Sequence, residues 1–179
     1  MLPRSIALAA CLCLPLLAQA APFTLRTPDG DDNALLRQAN AGNTGDCGGE
    51  NVSPALSWSN VPQGTQSFAV TIHDPDGQKG LGVDHWVHYG IKASTHEVGA
   101  DASLKGKIEG VGGSNSKGLA TYSGPCPPVG ENPHHYVIQI YALDLAADAL
   151  PAGLTRDDLL ARIKGHILAN TSVVRRYGR

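Results

Sequence analysis

The chain has 179 residues, of which 42% are hydrophobic, 17% are charged and only 5% are aromatic. This length suits one domain with a largely aliphatic core. The formal net charge of −2 at pH 7 excludes the strongly basic surface with which proteins bind nucleic acid or anionic membranes through charge alone. We therefore expect no nucleic-acid partner.

The N-terminal segment has the pattern of a secretory signal. Arg4 supplies a basic start, 6–17 is an apolar stretch, and Ala18-Gln19-Ala20 has the small-x-small pattern of a cleavage site. The stretch is too short to anchor the chain across a bilayer. We expect residues 1–20 to be a signal peptide, with cleavage near Ala20/Ala21 and export to the periplasm or the medium.

A lipobox is the alternative interpretation of the same segment. Leu8-Ala9-Ala10-Cys11 resembles one and would make Cys11 a lipid anchor. The apolar stretch before Cys11 would then be very short, so the signal-peptide interpretation is preferred. In either case we expect 21–179 to form a single domain.

Removal of the predicted signal peptide decides which cysteines the mature chain keeps. The signal peptide contains Cys11 and Cys13, and the mature chain keeps Cys47 and Cys126. An even pair in an exported chain favours a disulfide. Metal binding by these residues stays open, although no CxxC spacing supports it.

Five stretches have the alternation or the β-branched and aromatic content of strands. In chain order they are Phe23–Leu25, Ala55–Trp58, Ser67–His73, His85–Ile91 and Tyr136–Leu143. Turn residues separate them, and the segment 108–130 is rich in glycine and proline. This pattern predicts a mainly β domain.

One helix is expected near the C-terminus. Thr155 is a suitable N-cap, and acidic residues follow it in the first turn, where the helix dipole favours them. Leu159, Ile163 and Ile167 form an apolar stripe that extends the predicted helix to about Ala169. A short strand is predicted at Val173–Val174.

Candidate chemistry lies in a set of four residues. Asp74 ends a predicted strand, His85 begins the next, and His134 and Tyr136 lie two apart and therefore on one strand face. Imidazolium and phenol groups donate hydrogen bonds to an oxyanion, and a carboxylate orients an imidazole or accepts an amine. The set favours anion binding, although Asp74 to Gly77 is by itself an ordinary turn sequence.

Alternation along the strands predicts the sides of other residues. It places His85 on the side of Val87 and Tyr89. It places His88 and His135 on the strand face opposite to that of the residues next to them in the sequence, where solvent exposure is expected.

Two other chemistries are less favoured. Asp74, His85 and His134 could form a two-histidine, one-carboxylate metal site, but the sequence lacks a local histidine pair. A Ser-His-Asp nucleophile is also disfavoured, because the sequence contains no G-x-S-x-G elbow. We predict no metal and no cofactor.

The ordered motifs resemble the phosphatidylethanolamine-binding protein family, in particular its bacterial Raf-kinase-inhibitor-like branch. They are Asn51–Trp58, Val61–Phe68, Asp74–Asp76, His85–Val87, Gly124–Gly130 with His134-x-Tyr136, and Leu159–Ala169. The likeness covers about residues 23–179. A departure is Gly77-Gln78 where the family commonly has Ala-Pro, which is expected to loosen the turn.

This resemblance implies a large central antiparallel sheet, a smaller packed sheet and a few short helices. It implies a ligand pocket formed by Asp74, His85, Pro128, His134 and Tyr136. It implies supporting roles for Asp76, Trp86 and Pro127. The pair Cys47 and Cys126 is similar to a pair in bacterial members, where a bridge would join the N-terminal loop to the pocket wall.

The resemblance implies a pocket for phosphate-like and phosphorylethanolamine-type groups. Because the N-terminus predicts export and the polar set has no nucleophile–base pair or metal motif, the leading hypothesis is an exported, non-enzymatic protein that binds a small phosphate-like anion or a phosphorylethanolamine-type headgroup. The first alternative is an inhibitor or regulator of an envelope or host protein, such as a protease or kinase, acting through the pocket rim. The second is a weak hydrolase that uses Asp74 and the histidines. The sequence leaves a homodimer open.

Overall fold

The computed structural model describes residues 21–179, so the predicted signal peptide and Cys11 lie outside the described residues. Nine strands occur in the described part of the chain. In chain order they are β1 Thr24–Arg26, β2 Ala34–Leu35, β3 Leu56–Ser59, β4 Ser67–Asp74, β5 Val83–Lys92, β6 Glu97–Val98, β7 Val111–Gly112, β8 His134–Leu143 and β9 Ile167–Tyr177. The five predicted strands correspond to β1, β3, β4, β5 and β8.

The helical segments are short. They are α1, a single turn at Gly77–Gly80, α2 at Arg156–Ile163, and a 3-10 turn at Gln38–Asn40. None of the helices in 21–179 combines the length and the apolar content that crossing a bilayer requires. The predicted mainly β class with a few short helices is confirmed.

The strands form two sheets. The larger sheet has the order β2-β9-β8-β4-β5-β7, and its pairs are antiparallel except for the parallel pair of β2 with β9. The smaller sheet has the order β1-β3-β6. The predicted combination of a large sheet and a smaller one is therefore confirmed.

Both faces of the large sheet are covered. Phe68, Val70 and Ile140 point towards the small sheet and are fully buried with Trp58 of β3. On the other face, Tyr89 packs in a separate cluster with the apolar side of α2. Burial on both faces holds the central strands β8, β4 and β5 in place, and the ends of these strands carry the polar set.

The predicted helix begins as expected but ends early. The Thr155 hydroxyl accepts a hydrogen bond from the Asp158 N–H. The helix stops at Ile163, and Gly165 follows with a φ of +87°, a conformation that glycine adopts without strain. The prediction of a helix to about Ala169 was wrong, because 167–177 forms one long strand that pairs with β8. The predicted strand at Val173–Val174 is confirmed as part of this longer strand.

Candidate functional site

A cavity of about 170 Å³ opens where β4 ends and where β5 and β8 begin. The five predicted pocket residues, Asp74, His85, Pro128, His134 and Tyr136, all line it. Its other lining residues are Gly77, Gln78, Val83, Lys117, Gly124, Cys126 and Pro127. The structure thus brings together residues that are far apart in the sequence, since Asp74 and Tyr136 are separated by 62 positions.

His85 reaches this cavity through a β-bulge. In the pairing of β4 with β5, Ile72 lies opposite Trp86 and the next residue, His73, lies opposite Asp84, so His85 is left without a partner. A bulge turns the extra residue out of the regular alternation. His85 therefore faces Tyr136, with ring centroids 5.2 Å apart.

The alternation rule gave two wrong predictions here. Val87 and Tyr89 lie in the cluster on the α2 side of the sheet, and not on the side of His85. His88 is only 6% exposed, and its Nε2 lies 2.9 Å from the Glu109 carbonyl oxygen. His135 is exposed, as predicted.

Asp74 is the central acceptor of the site. It is 3% exposed, and its Oδ1 accepts hydrogen bonds from the backbone N–H groups of Asp76 and Gly77 at 2.9 and 3.0 Å. Its Oδ2 lies 2.8 Å from His134 Nδ1 and 4.0 Å from His85 Nε2. The carboxylate therefore both closes the turn after β4 and organises the cavity.

His134 lies between two carboxylates. Its Nδ1 faces Asp74, and its Nε2 lies 3.3 Å from Glu131 Oε2. Burial opposes its charged form, but the hydrogen bonds with Asp74 and Glu131 outweigh burial and raise the pKa of His134. This environment favours an imidazolium with both N–H groups directed at carboxylates.

His85 has the opposite environment. Its Nδ1 lies 2.6 Å from the Ser123 carbonyl oxygen, while its Nε2 is buried without a hydrogen-bond partner among the described residues. Burial lowers the pKa of His85 and favours the neutral ring. The surroundings therefore shift the pKa values of the two cavity histidines in opposite directions.

Tyr136 packs against both histidine rings. It is 1% exposed, meets His85 edge to face and stacks on His134 with ring centroids 6.4 Å apart. Burial raises the pKa of the Tyr136 phenol, so its hydroxyl keeps its proton and is available as a donor.

The cavity wall opposite Asp74 is held by a disulfide. Cys47 and Cys126 are bonded with a Cα–Cα distance of 5.2 Å, which confirms the predicted bridge. Arg179 reinforces it, because its Nε donates to the Pro127 carbonyl at 2.6 Å and its Nη1 to the Asp46 carbonyl at 2.7 Å. One guanidinium thus ties together the two segments that the disulfide joins.

Lys117 is a cavity residue that sequence analysis missed. It lies in an exposed loop, and the buried Asn115 shapes this loop by accepting hydrogen bonds from the backbone N–H groups of Lys117 and Leu119. The Asn115 amide also donates to the Thr121 carbonyl at 2.9 Å. The only signal in the sequence was the position of Lys117 within the glycine-rich segment.

The turn that carries the departure from the family pattern has an unusual backbone. Gln78 and Lys79 have φ values of +51° and +59°, in the left-handed region. Proline, with φ fixed near −65°, is excluded from such a position. A Cβ on Gly77 would approach Val83 Cγ2 to 2.6 Å, so glycine allows the turn to lie close to the cavity.

The predicted supporting residues have different positions. Pro127 lines the cavity. Trp86 lies in the core and packs edge to face on Tyr122. Asp76 lies outside this cavity and accepts hydrogen bonds from the backbone N–H and the ring Nδ1 of His135, in an adjacent depression that it shares with Glu131.

Potential metal-ligand atoms converge at one place within residues 21–179. The one group of three His, Cys, Asp or Glu residues whose ligand atoms lie together is Asp46, Cys47 and Cys126, and both cysteines are bonded in the disulfide. Asp74, His85 and His134 do not form such a group.

Comparisons with known proteins agree with this fold. The family described as phosphatidylethanolamine-binding protein matches residues 26–178. The UPF0098 protein of Aquifex aeolicus (strain VF5) is 37% identical over 134 residues, which cover 74% of this chain and 78% of that protein. The UPF0098 protein YbcL of Escherichia coli (strain K12) is 38% identical over 130 residues, which cover 70% of this chain and 71% of that protein.

A solved structure extends the agreement to three dimensions. The crystal structure of E. coli YbcL, described as a new member of the mammalian PEBP family, has a TM-score of 0.82 and 31% sequence identity. It covers 89% of this chain and 99% of that chain. The chain therefore belongs to the phosphatidylethanolamine-binding protein family.

Proposed function

We propose that the cavity binds a small phosphate-like anion, such as inorganic phosphate, a phosphomonoester or a phospholipid headgroup. The observation that carries this proposal is the set of donors around one small cavity. The Tyr136 hydroxyl and the Lys117 ammonium are available as donors to oxygen atoms of such a ligand, and His134, whose two ring nitrogens face Asp74 and Glu131, contributes positive charge when protonated.

The same residues support binding without turnover. The lining residues include no serine or threonine, and the cysteine among them is held in a disulfide. Covalent catalysis needs a nucleophile next to a general base. We therefore propose that the described residues form a binding pocket and not a hydrolase site with a serine, threonine or cysteine nucleophile.

A ligand titration tests this function. Inorganic phosphate and phosphorylethanolamine are added to residues 21–179 while the histidine side chains are followed by NMR. We expect saturable shifts at His85 and His134, and none at His96, which is exposed and does not line the cavity. The absence of any shift at His85 and His134 at millimolar ligand would refute the proposal.

We also propose that the protein is exported by its N-terminal segment. The Cys47–Cys126 disulfide supports this, because such bonds persist in oxidising compartments. Mass spectrometry of the protein from a bacterial envelope preparation tests it. A mature chain that starts near Ala21 is expected, whereas a lipid-modified Cys11 would establish the alternative anchor.

Regulation of another protein is a second candidate function. Leu81, which follows α1, is 86% exposed, and Val129, which follows the cavity residues Pro127 and Pro128, is 71% exposed. Exposed apolar side chains beside a pocket suit a protein partner. In a pull-down from envelope extract, Leu81→Asp and Val129→Asp should each reduce capture of a specific partner, and equal capture by these variants and the wild type would refute this function.

A further inference from the structure

The floor of the cavity presents an unused hydrogen-bond acceptor. A carbonyl oxygen only accepts, so the contact of 2.6 Å between His85 Nδ1 and Ser123 O places a hydrogen on Nδ1. In the neutral ring, Nε2 then carries a lone pair and can only accept a hydrogen bond. This atom is buried, has no partner among the described residues and belongs to a side chain that is 8% exposed.

A second acceptor lies beside it. Asp74 Oδ2 is 4.0 Å from His85 Nε2 and receives one hydrogen bond, from His134. An oxygen atom of a ligand that enters this corner therefore meets two acceptors. An oxygen without hydrogen is repelled there, whereas a hydroxyl group donates to Nε2.

The charges around the cavity also limit the ligand. Asp74 and Glu131 are balanced by the His134 imidazolium and by Lys117, while neutral His85 adds no charge. The site therefore offers donors from Tyr136 and Lys117 without a large excess of positive charge. This arrangement suits a singly charged anion better than a doubly charged one, and the hydroxyl group alone distinguishes a protonated monoester from a diester.

We propose that the cavity selects anions that carry a P–OH group, with this hydroxyl donating to His85 Nε2. Inorganic phosphate and protonated phosphomonoesters have such a hydroxyl, whereas sulfate and phosphodiesters lack one at neutral pH. This inference rests on the proposed anion-binding function and names its ligand class. It favours phosphate and monoesters over the diester headgroup of an intact phospholipid.

The proposal requires His85 to stay neutral when the ligand is bound. The ionisable groups that face it are Asp74 of β4, Asp84 beside it on β5, His134 and Tyr136 of β8, and Lys117 of the loop. Lys117 opposes protonation of His85, while the two carboxylates favour it. A ligand hydroxyl that donates to His85 Nε2 satisfies this atom while the ring stays neutral.

Calorimetric titration at about pH 6, near the second pKa of a phosphomonoester, compares four ligands. They are inorganic phosphate, phosphorylethanolamine, glycerophosphorylethanolamine and sulfate. We expect phosphate and phosphorylethanolamine to bind at least about tenfold more tightly than sulfate and the diester. Nitrogen NMR of the phosphate complex should show a neutral His85 with its hydrogen on Nδ1.

A variant and its matched control add a second readout. His85→Gln offers an amide that both donates and accepts, so the preference for phosphate over sulfate should largely disappear. His73→Gln, outside the cavity, should keep it.

The outcomes separate the two proposals. Equal binding of sulfate or of the diester, or a protonated His85 Nε2 in the phosphate complex, would overturn the selectivity and leave anion binding standing. Binding of none of the four ligands would refute the proposed function itself.

Discussion

Two His–Asp pairs lie near the same end of the large sheet, and one of them lines the cavity of the candidate site whereas the other does not. His134 and Asp74 are 2.8 Å apart and their side chains are 10% and 4% exposed. His73 and Asp84 are 2.7 Å apart, with side chains 25% and 22% exposed. The contact distance is thus almost the same in the two regions, while the surroundings differ.

The surroundings decide what each pair can do. The first pair adjoins the unpartnered His85 Nε2 and a cavity of about 170 Å³. Neither His73 nor Asp84 of the second pair lines this cavity. Instead, Arg156 Nε lies 3.8 Å from the Asp84 carboxylate. A His–Asp contact alone therefore says little about function, and a position in the wall of a cavity says more.

Removal of the disulfide should have the largest effect and should act on the cavity region. Replacing Cys47 and Cys126 with serine opens a link across a sequence separation of 79 residues. In a chain-entropy description the free energy of unfolding should fall by roughly 4–5 kcal/mol. Urea unfolding of the variant and the wild type, at equal pH, measures this change. A loss below 1 kcal/mol would show that Arg179 and the surrounding packing hold the wall without the bond.

The two carboxylates give the sharpest contrast in binding. Asp74→Asn replaces the acceptor that holds His134 with an amide, and phosphate affinity should fall roughly 100-fold, or about 2.8 kcal/mol at 1.4 kcal/mol per factor of ten. The matched variant Asp84→Asn alters the second pair and should change the affinity less than about threefold. Phosphate titration of both variants measures the difference. Similar losses in the two would remove the distinction between the regions.

The arginines that adjoin the two regions should also differ. Arg179→Ala removes donors to the Pro127 and Asp46 carbonyls and loosens the cavity wall. Phosphate affinity should fall about three- to tenfold, since charged hydrogen bonds contribute roughly 1.5–3 kcal/mol and only part of this reaches the ligand. Arg156→Ala beside the second pair should leave the affinity unchanged. The prediction fails if Arg179→Ala binds phosphate as the wild type does.

The smallest expected effect is on the pH dependence of stability. Burial lowers the pKa of His85 and of His88, so the unfolded chain binds their protons more readily. Stability from these two residues should be full above about pH 6.5 and should fall as the pH drops below it. His134 acts in the opposite direction, because its raised pKa gives stability below about pH 6.5 that is lost as the pH rises through the folded value.

Unfolding in urea between pH 5 and pH 8 tests this balance. His88→Gln should show a smaller loss of stability on the acid side than the wild type, and His96→Gln, at an exposed position, should match the wild type. Identical acid-side losses in His88→Gln and the wild type would contradict the assignment.

Sequence reasoning predicted the strands and the pocket residues because both are local patterns. Alternation identified β4 and β8, and the ordered motifs identified Asp74, His134 and Tyr136. It failed for the side on which His85 lies, because the bulge arises from pairing between β4 and β5 and leaves no mark in the order of residues.

Long-range contacts account for the other errors. The apolar stripe of α2 continues to Ile167 in the sequence, but Gly165 ends the helix and pairing with β8 turns 167–177 into a strand. Lys117 reaches the cavity from a loop, and Arg179 contacts the cavity wall at Pro127 from the segment after β9, and no local pattern records these contacts. Gly165, followed by the β-branched residues Thr171, Val173 and Val174, was the signal that would have located the strand.

A crystal structure grown with phosphate tests the central claim most directly. We predict a phosphate ion in the cavity lined by Asp74, His85, His134 and Tyr136, with one oxygen within hydrogen-bonding distance of His85 Nε2. Wild-type crystals and Asp74→Asn crystals grown side by side provide the comparison, and the variant should hold no ion there. Wild-type crystals whose cavity lacks phosphate at a concentration that saturates other known phosphate sites would contradict the account.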